Sequence, residues 1–482
     1  MTFRPVAAAT AFAALVLSLS SPARAQFETR ASFPYQGGDP YSLVVGDFNG
    51  DGILDLAEVR NLPSGSVEIL LGNGDGTFRP GDTYAVDVLF YGAAASLRSN
   101  GILDLVLGGG NDDVYVMLGN GDGTFQVPVP YPASAFSYMI GVGDFMGKGK
   151  LDVVAVGGTN SEGGICDCVE VLPGNGDGTF GAAITTPLPY SMSGYALATG
   201  DFNNDGKLDV AVSGEAFPNF QVAILSGNGD GTFSADGFYI VPEDPGSIAT
   251  GYFTGNKKKI DLAVASSLGG HVSVLLGNGD GTFQQPVLYE TNLPTWVVAQ
   301  DLNGDGKIDL AASNAGQALS SNSGVTVFKG NGDGSFQTGK FYPAGKEGNY
   351  VAVGDFNGDH RPDLVMADYD SGDVITLLNT GAVAFSPTTA LNFEKQAVGK
   401  TSAAQAVTLT NTGTTELKIQ SMKASAEFAV TSTCGARVAP GAECTISATF
   451  SPTKQGAEQG TISIIDNASS KPQVIELLGT GT

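Results

Sequence analysis

The sequence predicts an all-β protein, a seven-bladed β-propeller followed by an immunoglobulin-like β-sandwich. Three observations predict it. The string GNGDGTF ends at Phe78, Phe125, Phe180, Phe233 and Phe283, recurs as GNGDGSF ending at Phe336, and persists in worn form as NTGAVAF ending at Phe385. These phenylalanines stand 47, 55, 53, 50, 53 and 49 residues apart, and self-similarity near 50 residues marks supersecondary units stacked on one another. A second string, GDFNGDGILDL from Gly46 to Leu56, recurs one strand pair before each GNGDG turn. Near Ser386 the repeats stop and short alternating segments take over.

The first element is a leader. Arg4 begins it, an apolar run extends from about Val6 to Leu19, and Ala23-Arg24-Ala25 ends it, as in a secretory signal over residues 1–25 cleaved before Gln26. The run is short for a membrane span, and no later stretch reaches 18 uninterrupted apolar residues, so no transmembrane segment is expected in the mature chain. The protein is expected to be exported, whether periplasmic, cell-surface or secreted. Removing the leader takes away two arginines and no acid, which moves the formal charge of −25 to −27. Such a chain repels nucleic acid and attracts metal cations.

The repeats, over 26–385, read as blades. In the first, alternating apolar segments run from Tyr41 to Val45, from Leu54 to Val59 and from Val67 to Leu71, and a fourth begins at Phe78. Asn-Gly and Asp-Gly supply the positive φ of tight hairpins, so each GNGDG turn joins two antiparallel strands. Four strands per period make a propeller blade. Phe27 to Tyr35 resembles the fourth-strand segment Phe336 to Tyr342 but lacks three preceding strands. It is expected to complete the last blade, begun by about Tyr350 to Leu378; the rival for that place is the segment after Phe385.

Within each blade the pattern Asp-x-Asn-x-Asp-Gly-x-x-Asp sets side-chain oxygens at positions 1, 3, 5 and 9, with the carbonyl of position 7 available. Alternating oxygens along a turn that glycine lets bend are how a loop wraps a hard cation such as calcium. Four copies are intact: Asp47, Asn49, Asp51, Ile53 and Asp55; Asp201, Asn203, Asp205, Lys207 and Asp209; Asp301, Asn303, Asp305, Lys307 and Asp309; Asp355, Asn357, Asp359, Arg361 and Asp363. About four calcium ions are therefore expected. Turn-forming alone would also favour Asp, Asn and Gly, but three clustered carboxylates repel without a cation.

Three copies have lost the set. The second repeat has Ser96, Arg98, Asn100 and Asp104; the third keeps Asp144 and Asp152 around Met146 and Lys148; the fifth carries Lys257, Lys258 and Lys259 and one extra residue before Asp261. No metal is expected there. The GNGDG turns, with one carboxylate each, are expected to be structural.

GDFNGDGxxDL followed by LGNGDGTF resembles the FG-GAP and VCBS repeats of integrin-α-like propellers, over about residues 27 to 385. That resemblance implies a seven-bladed ring with calcium in loops between the first two strands of certain blades, hence on the four intact loops. In the segment 386–482, Leu391, Phe393, Leu409 to Gly413, Pro440 to Cys444, Phe450, Pro452 and the closing Leu478 to Gly481 resemble Hydin-type (ASH, choice-of-anchor D) domains. That likeness implies a binding or spacing module without catalytic residues. Expected strands there run from Ala406 to Thr410, Glu416 to Ile419, Cys444 to Phe450, Gly460 to Ile465 and Val474 to Leu478.

Four cysteines in an exported chain point to two disulfides. Cys434 and Cys444 suit a bridge between neighbouring strands. Cys166 and Cys168 face one side of a strand, and a strained disulfide, free thiols or an adventitious metal site are all open, the disulfide being preferred.

The calcium loops and GNGDG turns share one face of such a ring, whereas connections on the other face vary in length, and variable loops on a repetitive scaffold carry recognition. Tyr41, Phe90, Tyr138, Tyr195, Trp296 and Tyr350 lie five or six residues before the loops, where the first strands enter from that variable face. They are candidates for stacking on a sugar or gripping a partner, or else for packing beneath the loops. The only histidines, His271 and His360, fall in different parts of the repeat, and no GxSxG elbow or phosphate loop occurs. The sequence thus favours a non-enzymatic, exported calcium-binding module for adhesion to an extracellular protein or glycan; the alternative is a polysaccharide hydrolase or lyase using acids on the variable face.

Overall fold

The computed structural model describes residues 27–34, 40–61, 65–87, 89–110, 112–133, 137–159, 165–316, 323–358, 361–379, 383–386, 390–411, 416–439, 441–467 and 472–482. The expected leader, residues 1–25, lies outside them. The chain divides into two compact units, Ala25–Gly381 and Ala382–Thr482.

The first unit holds seven four-stranded antiparallel sheets. Blade 1 is Pro40–Gly46, Asp55–Arg60, Ser66–Gly72 and Phe78–Ala85, and each later repeat gives one blade in the same order. Each first strand lies against those of both neighbours, with Gly348–Gly354 of blade 7 returning to Pro40–Gly46 of blade 1, so the ring is closed. Second strands such as Asp55–Arg60 and Asp309–Asn314 are buried throughout, because a blade between two others has no solvent face and cannot alternate. The outer fourth strand alternates into water instead; in Phe78–Ala85 only Phe78 is buried.

Ring closure falls to the N-terminal strand. Phe27–Pro34 pairs antiparallel with Asp373–Asn379, completing blade 7. Phe27 packs edge-on against Tyr342 of blade 6 at 5.3 Å. The rival is excluded: Val383–Ser386 pairs with Gln405–Asn411 in the second unit. The worn repeat NTGAVAF is thereby corrected, since Phe385 is a sandwich residue opposite Leu409, and Asn379 ends a third strand where other blades have glycine. The two units part at Gly381 and Ala382 rather than at the expected 385 and 386.

The second unit packs two sheets. One orders Val383–Ser386, Gln405–Asn411, Glu443–Phe450 and Phe428–Ser432; the other orders Ala390–Gln396, Gln473–Gly481, Gly456–Asp466, Leu417–Ala424 and Arg437–Val438. Inward residues alternate along the strands, as sandwich packing requires. Leu409, Ile446, Phe450, Ile462, Ile475 and Leu477 are fully buried, and Phe428 stacks on Phe450 at 4.8 Å. Cys434 and Cys444 form a disulfide with Cα atoms 4.8 Å apart. Cys168 is buried and disulfide-bonded as well; the side chain of Cys166 lies outside the described residues.

Candidate functional site

The first-to-second connections are eight residues long in six blades and nine in blade 5, and their internal bonding explains the uniformity. In blade 1, Asp47 Oδ1 accepts the Gly50 amide at 2.7 Å and Oδ2 that of Gly52 at 2.9 Å. Asn49 accepts from Asp51 and Asp51 from Ile53, each at 2.8 Å. Blades 4 and 6 repeat the pattern: Asp201 and Asp301 accept from Gly206 and Gly306, Asn203 and Asn303 from Asp205 and Asp305, and Asp205 and Asp305 from Lys207 and Lys307. In blade 7, Asp355 accepts from Gly358 at 2.8 Å, while Asp359, like His360, lies outside the described residues. Asn357 and Arg361 lie on the same loop.

The position-9 aspartate behaves differently. Asp55 is fully buried; its Oδ2 accepts the Phe48 amide at 2.9 Å and its Oδ1 that of Gly72, at the end of the third strand, at 2.8 Å. Asp104, Asp152, Asp209, Asp261, Asp309 and Asp363 make the same pair of bonds in the other six blades. This residue therefore ties loop to third strand whether or not the remaining oxygens are present. The degenerate loops keep that tie and part of the internal bonding, with Ser96 accepting from Gly101 and Asp144 from Gly149. In the second, Arg98 pairs with Asp104 and donates to the Gly119 carbonyl at 2.6 Å. In the third, Lys148 is exposed and gives Asp144 its backbone amide at 2.9 Å.

Burial first, and then repulsion from Asp305 and Asp301, raise the Asp309 carboxyl to about 6 against two amide bonds that lower it. Asp209 reaches about 6 in the same way beside Asp205 and Asp201, and Asp55 is raised too. Three carboxylates and an amide oxygen per intact loop are the donors a hard cation takes. As the side chains stand, their oxygens turn to the loop amides, and among the described residues no group of three or more His, Cys, Asp or Glu is placed to hold a metal ion.

The GNGDG turns clamp neighbouring blades. Gly76 (φ 81°) donates its amide to the Phe356 carbonyl of blade 7 at 3.0 Å, and a Cβ there would come within 2.8 Å of Leu378, so only glycine fits. Gly123, Gly281 and Gly334 reach Phe48, Phe202 and Phe253 of the preceding blades in the same way. Inside each turn the following Thr or Ser binds the aspartate, as the Thr124 hydroxyl and amide bind Asp122 and hold its carboxyl below the usual range.

Every first strand begins with a bulge, and the bulge sorts the aromatic candidates. In blades 1, 3 and 4 the extra residue is Tyr41, Tyr138 or Tyr195 itself; in blades 6 and 7 it is Thr295 or Asn349, and Trp296 or Tyr350 follows one place later. That later place points to the centre. Trp296 lies 4.3 Å from Tyr350 and stacks at 4.9 Å on Tyr91, which also meets Tyr350 at 6.2 Å and Tyr41 at 5.3 Å. Blade 2 thus sends Tyr91 to the centre, not Phe90, which contacts Tyr41 at 5.8 Å. The missed signal was the one-residue difference in phase. Burial drives the Tyr91 and Tyr350 hydroxyls well above their ordinary pKa, and Trp296 is 8% exposed; these rings plug the ring's axis. Tyr195 hydrogen-bonds Glu215 at 3.1 Å. Tyr138's side chain lies outside the described residues.

The opposite face is irregular. Second-to-third connections run from two residues, Phe217 and Pro218, to the nine of 315–323. Phe217 is 90% exposed and Leu268, in the matching turn of blade 5, 66%. Among the described residues no helix is long and apolar enough to cross a membrane.

Comparison with known proteins agrees with this architecture. A model of the FG-GAP-like repeat matches residues 97–155, 144–212, 256–312 and 301–366, a second FG-GAP repeat model matches 193–232, and the ASH model (abnormal spindle-like microcephaly-associated, ASPM-SPD-2-Hydin) matches 382–474. These families are not enzymatic. No curated protein matches. Among solved structures, BBS1N in complex with ARL6DN, soaked with mercury, is 13% identical and aligns over 74% of this chain and 97% of its own at a TM-score of 0.51, a likeness of fold alone. The ASH/PapD-like domain 7 of human CEP192 aligns over 21% of this chain and 84% of its own at 16% identity and a TM-score of 0.17, too low to carry an inference. The chain carries FG-GAP repeats through its N-terminal region and an ASH domain at residues 382–474.

Proposed function

We propose that this protein is an exported, calcium-binding adhesion module that holds an extracellular protein or glycan on the propeller face opposite the aspartate loops. The contrast between the two faces carries the reading: loops of constant length and bonding on one side, and on the other turns of two to nine residues bearing the exposed Phe217 and Leu268. Covering these two side chains with a partner would remove apolar surface from water. The ASH domain serves as spacer or second contact. Calcium is assigned to the four intact loops, where Asp47, Asn49, Asp51 and Asp55 and their counterparts would turn oxygens to the ion and offset the burial, and then the repulsion between neighbouring aspartates, that raise Asp209 and Asp309.

Two measurements test the reading. Elemental analysis of protein equilibrated with millimolar calcium should find about four ions per chain, at the affinity typical of extracellular modules; none bound would remove calcium. Capture of extracellular proteins and glycans should weaken in Phe217→Ser and Leu268→Ser at unchanged melting temperature. Release of cleaved polysaccharide by the purified protein would instead make it an enzyme.

A further inference from the structure

The cleft between blades 5 and 6 contains a cavity of about 250 Å3 lined by Glu290, Thr291, Asn314, Thr326 and Phe341 among others. Its floor is a fixed polar network. Asn314 Nδ2 donates to Thr326 Oγ1 at 2.7 Å, and the Thr291 hydroxyl lies 2.9 Å from Thr326 Oγ1 and 3.2 Å from Asn314 Oδ1. Asn314 is wholly buried and Thr326 is 6% exposed, so Asn314 holds the floor in place from beneath while the Thr291 and Thr326 hydroxyls form its surface.

The walls add complementary chemistry. Phe341, across the strand pair from Thr326, lines the cleft and is 38% exposed. The Glu290 carboxylate makes no hydrogen bond or ion pair among the described residues. Gly339 keeps the space open, since a Cβ there would stand 2.5 Å from Thr326 Cγ2 and 2.7 Å from the Phe328 ring. The arrangement is particular to this blade, because the positions of Asn314 and Thr326 are Gly214 and Ala223 in blade 4 and Ser266 and Ser273 in blade 5.

An apolar ring beside rigid neutral hydrogen-bonding groups and one free acceptor carboxylate is what a pyranose presents in mirror image: a C–H face, and hydroxyls that both donate and accept. The volume is below the roughly 300 to 1,000 Å3 of sites for drug-sized ligands, so one ring fits. A net charge of −25 disfavours uronate, sulfate or phosphate groups. We propose that this cavity binds one neutral hexose unit of a glycan, its C–H face on Phe341 and its hydroxyls on Thr291, Thr326 and Glu290. The proposal rests on the partner-binding reading above and narrows it to a sugar at one inter-blade cleft.

Saturation-transfer NMR of the whole protein with glucose, galactose, mannose, N-acetylglucosamine and glucuronic acid tests it. Transfer to the ring protons of at least one neutral sugar and none to glucuronic acid is expected. Phe341→Ala should lower that affinity by about tenfold or more and Glu290→Gln severalfold, each at an unchanged melting temperature, whereas Phe217→Ser should leave it intact. Silence from all four neutral sugars, equal transfer to glucuronic acid, or binding that survives both cleft substitutions would overturn the proposal. If the sugars are silent while Phe217 and Leu268 still govern partner capture, the cleft proposal alone falls; if a sugar binds while those turns prove irrelevant, the opposite-face reading falls and the cleft stands.

Discussion

The hydroxyl of Tyr84 accepts the backbone amide of Phe125 at 2.7 Å across 41 residues of sequence. Tyr84 belongs to the fourth strand of blade 1, and Phe125 closes the GNGDGTF turn of blade 2. Tyr239 binds Phe283 at 2.7 Å and Tyr289 binds Phe336 at 3.0 Å in the same manner, with the rings edge-on at 5.8 and 5.6 Å. In blade 3 the hydroxyl is that of Thr186, 3.3 Å from the Phe233 amide. The repeat's phenylalanine is therefore the place where one blade is fastened to the next.

Tyr239→Phe removes one such fastening without changing ring packing. It strands the buried Phe283 amide, for which the cost is about 1 to 3 kcal/mol. Urea unfolding should show that loss, and the same change at the exposed Tyr252 should show none. Equal stability of Tyr239→Phe and the parent would mean that water replaces the hydroxyl.

The seven-bladed ring was legible because its signals repeat: GNGDG turns fix hairpins, and the orphan segment Phe27–Pro34 could be matched to a fourth strand. The fastening was written in the sequence as well, as a tyrosine six residues after the repeat phenylalanine at Tyr84, Tyr131, Tyr239, Tyr289 and Tyr342, but a tyrosine's partner in the next blade is not a local property. The central plug was half legible. Counting back from the loops found Trp296 and Tyr350, and it took Phe90 for Tyr91 because a bulge shifts the strand by one residue, which alternation cannot reveal. Position 9 of the aspartate loops was grouped with the metal donors, whereas its amide bonds in all seven blades give it a structural task of its own.

That task separates two roles by experiment. Asp261 lies in a degenerate loop, and its oxygens accept from Phe253, Thr254 and Gly277; Asp309 lies in an intact one. In chelator, Asp261→Ala and Asp309→Ala should each cost about 3 kcal/mol, since both strand buried amides. Adding millimolar calcium should raise the melting temperature of Asp261→Ala as much as the parent's, and that of Asp309→Ala less. Identical calcium responses would remove Asp309 from the ion site.

A pH effect is expected at the interface of blades 1 and 7. Glu58 is fully buried. Burial raises its carboxyl to about 7, against the ion pair with Arg60 at 2.8 Å and with added repulsion from Glu68 and Asp373. Between about 4.5 and 7 the folded state holds a proton that the unfolded chain releases, so this group makes stability fall as pH rises through that window and then level off. The full loss is about 3 kcal/mol. Glu58→Gln should flatten the pH profile there and be the more stable protein at pH 8, as read from denaturant midpoints; a parallel profile would show that Glu58 stays ionised.

The ASH domain has its own test. The Cys434–Cys444 disulfide spans 10 residues, a loop whose closure stabilises by about 2.5 kcal/mol on the chain-entropy model. Replacing both cysteines by serine should lower only the calorimetric transition assigned to this domain. A shift of the propeller transition as well would show that the two units unfold together.

Trp296 is the only tryptophan, so its emission reports on the plug alone. Packed on Tyr350 and Tyr91 at 8% exposure, it should emit at short wavelength in the native protein. Deleting residues 27–34 removes the partner of Asp373–Asn379 and leaves blade 7, which carries Tyr350, with an unpaired outer edge. Ring opening should then admit water to the plug and move the emission to longer wavelength well below the parent's melting temperature. Trp296→Ala should cost about 3 to 5 kcal/mol, as for other large core residues, while leaving sugar binding at the blade 5 and 6 cleft within twofold of the parent at a temperature where the variant is folded. Loss of binding without loss of stability would return Trp296 to the ligand-contacting role that its place at the head of a first strand first suggested.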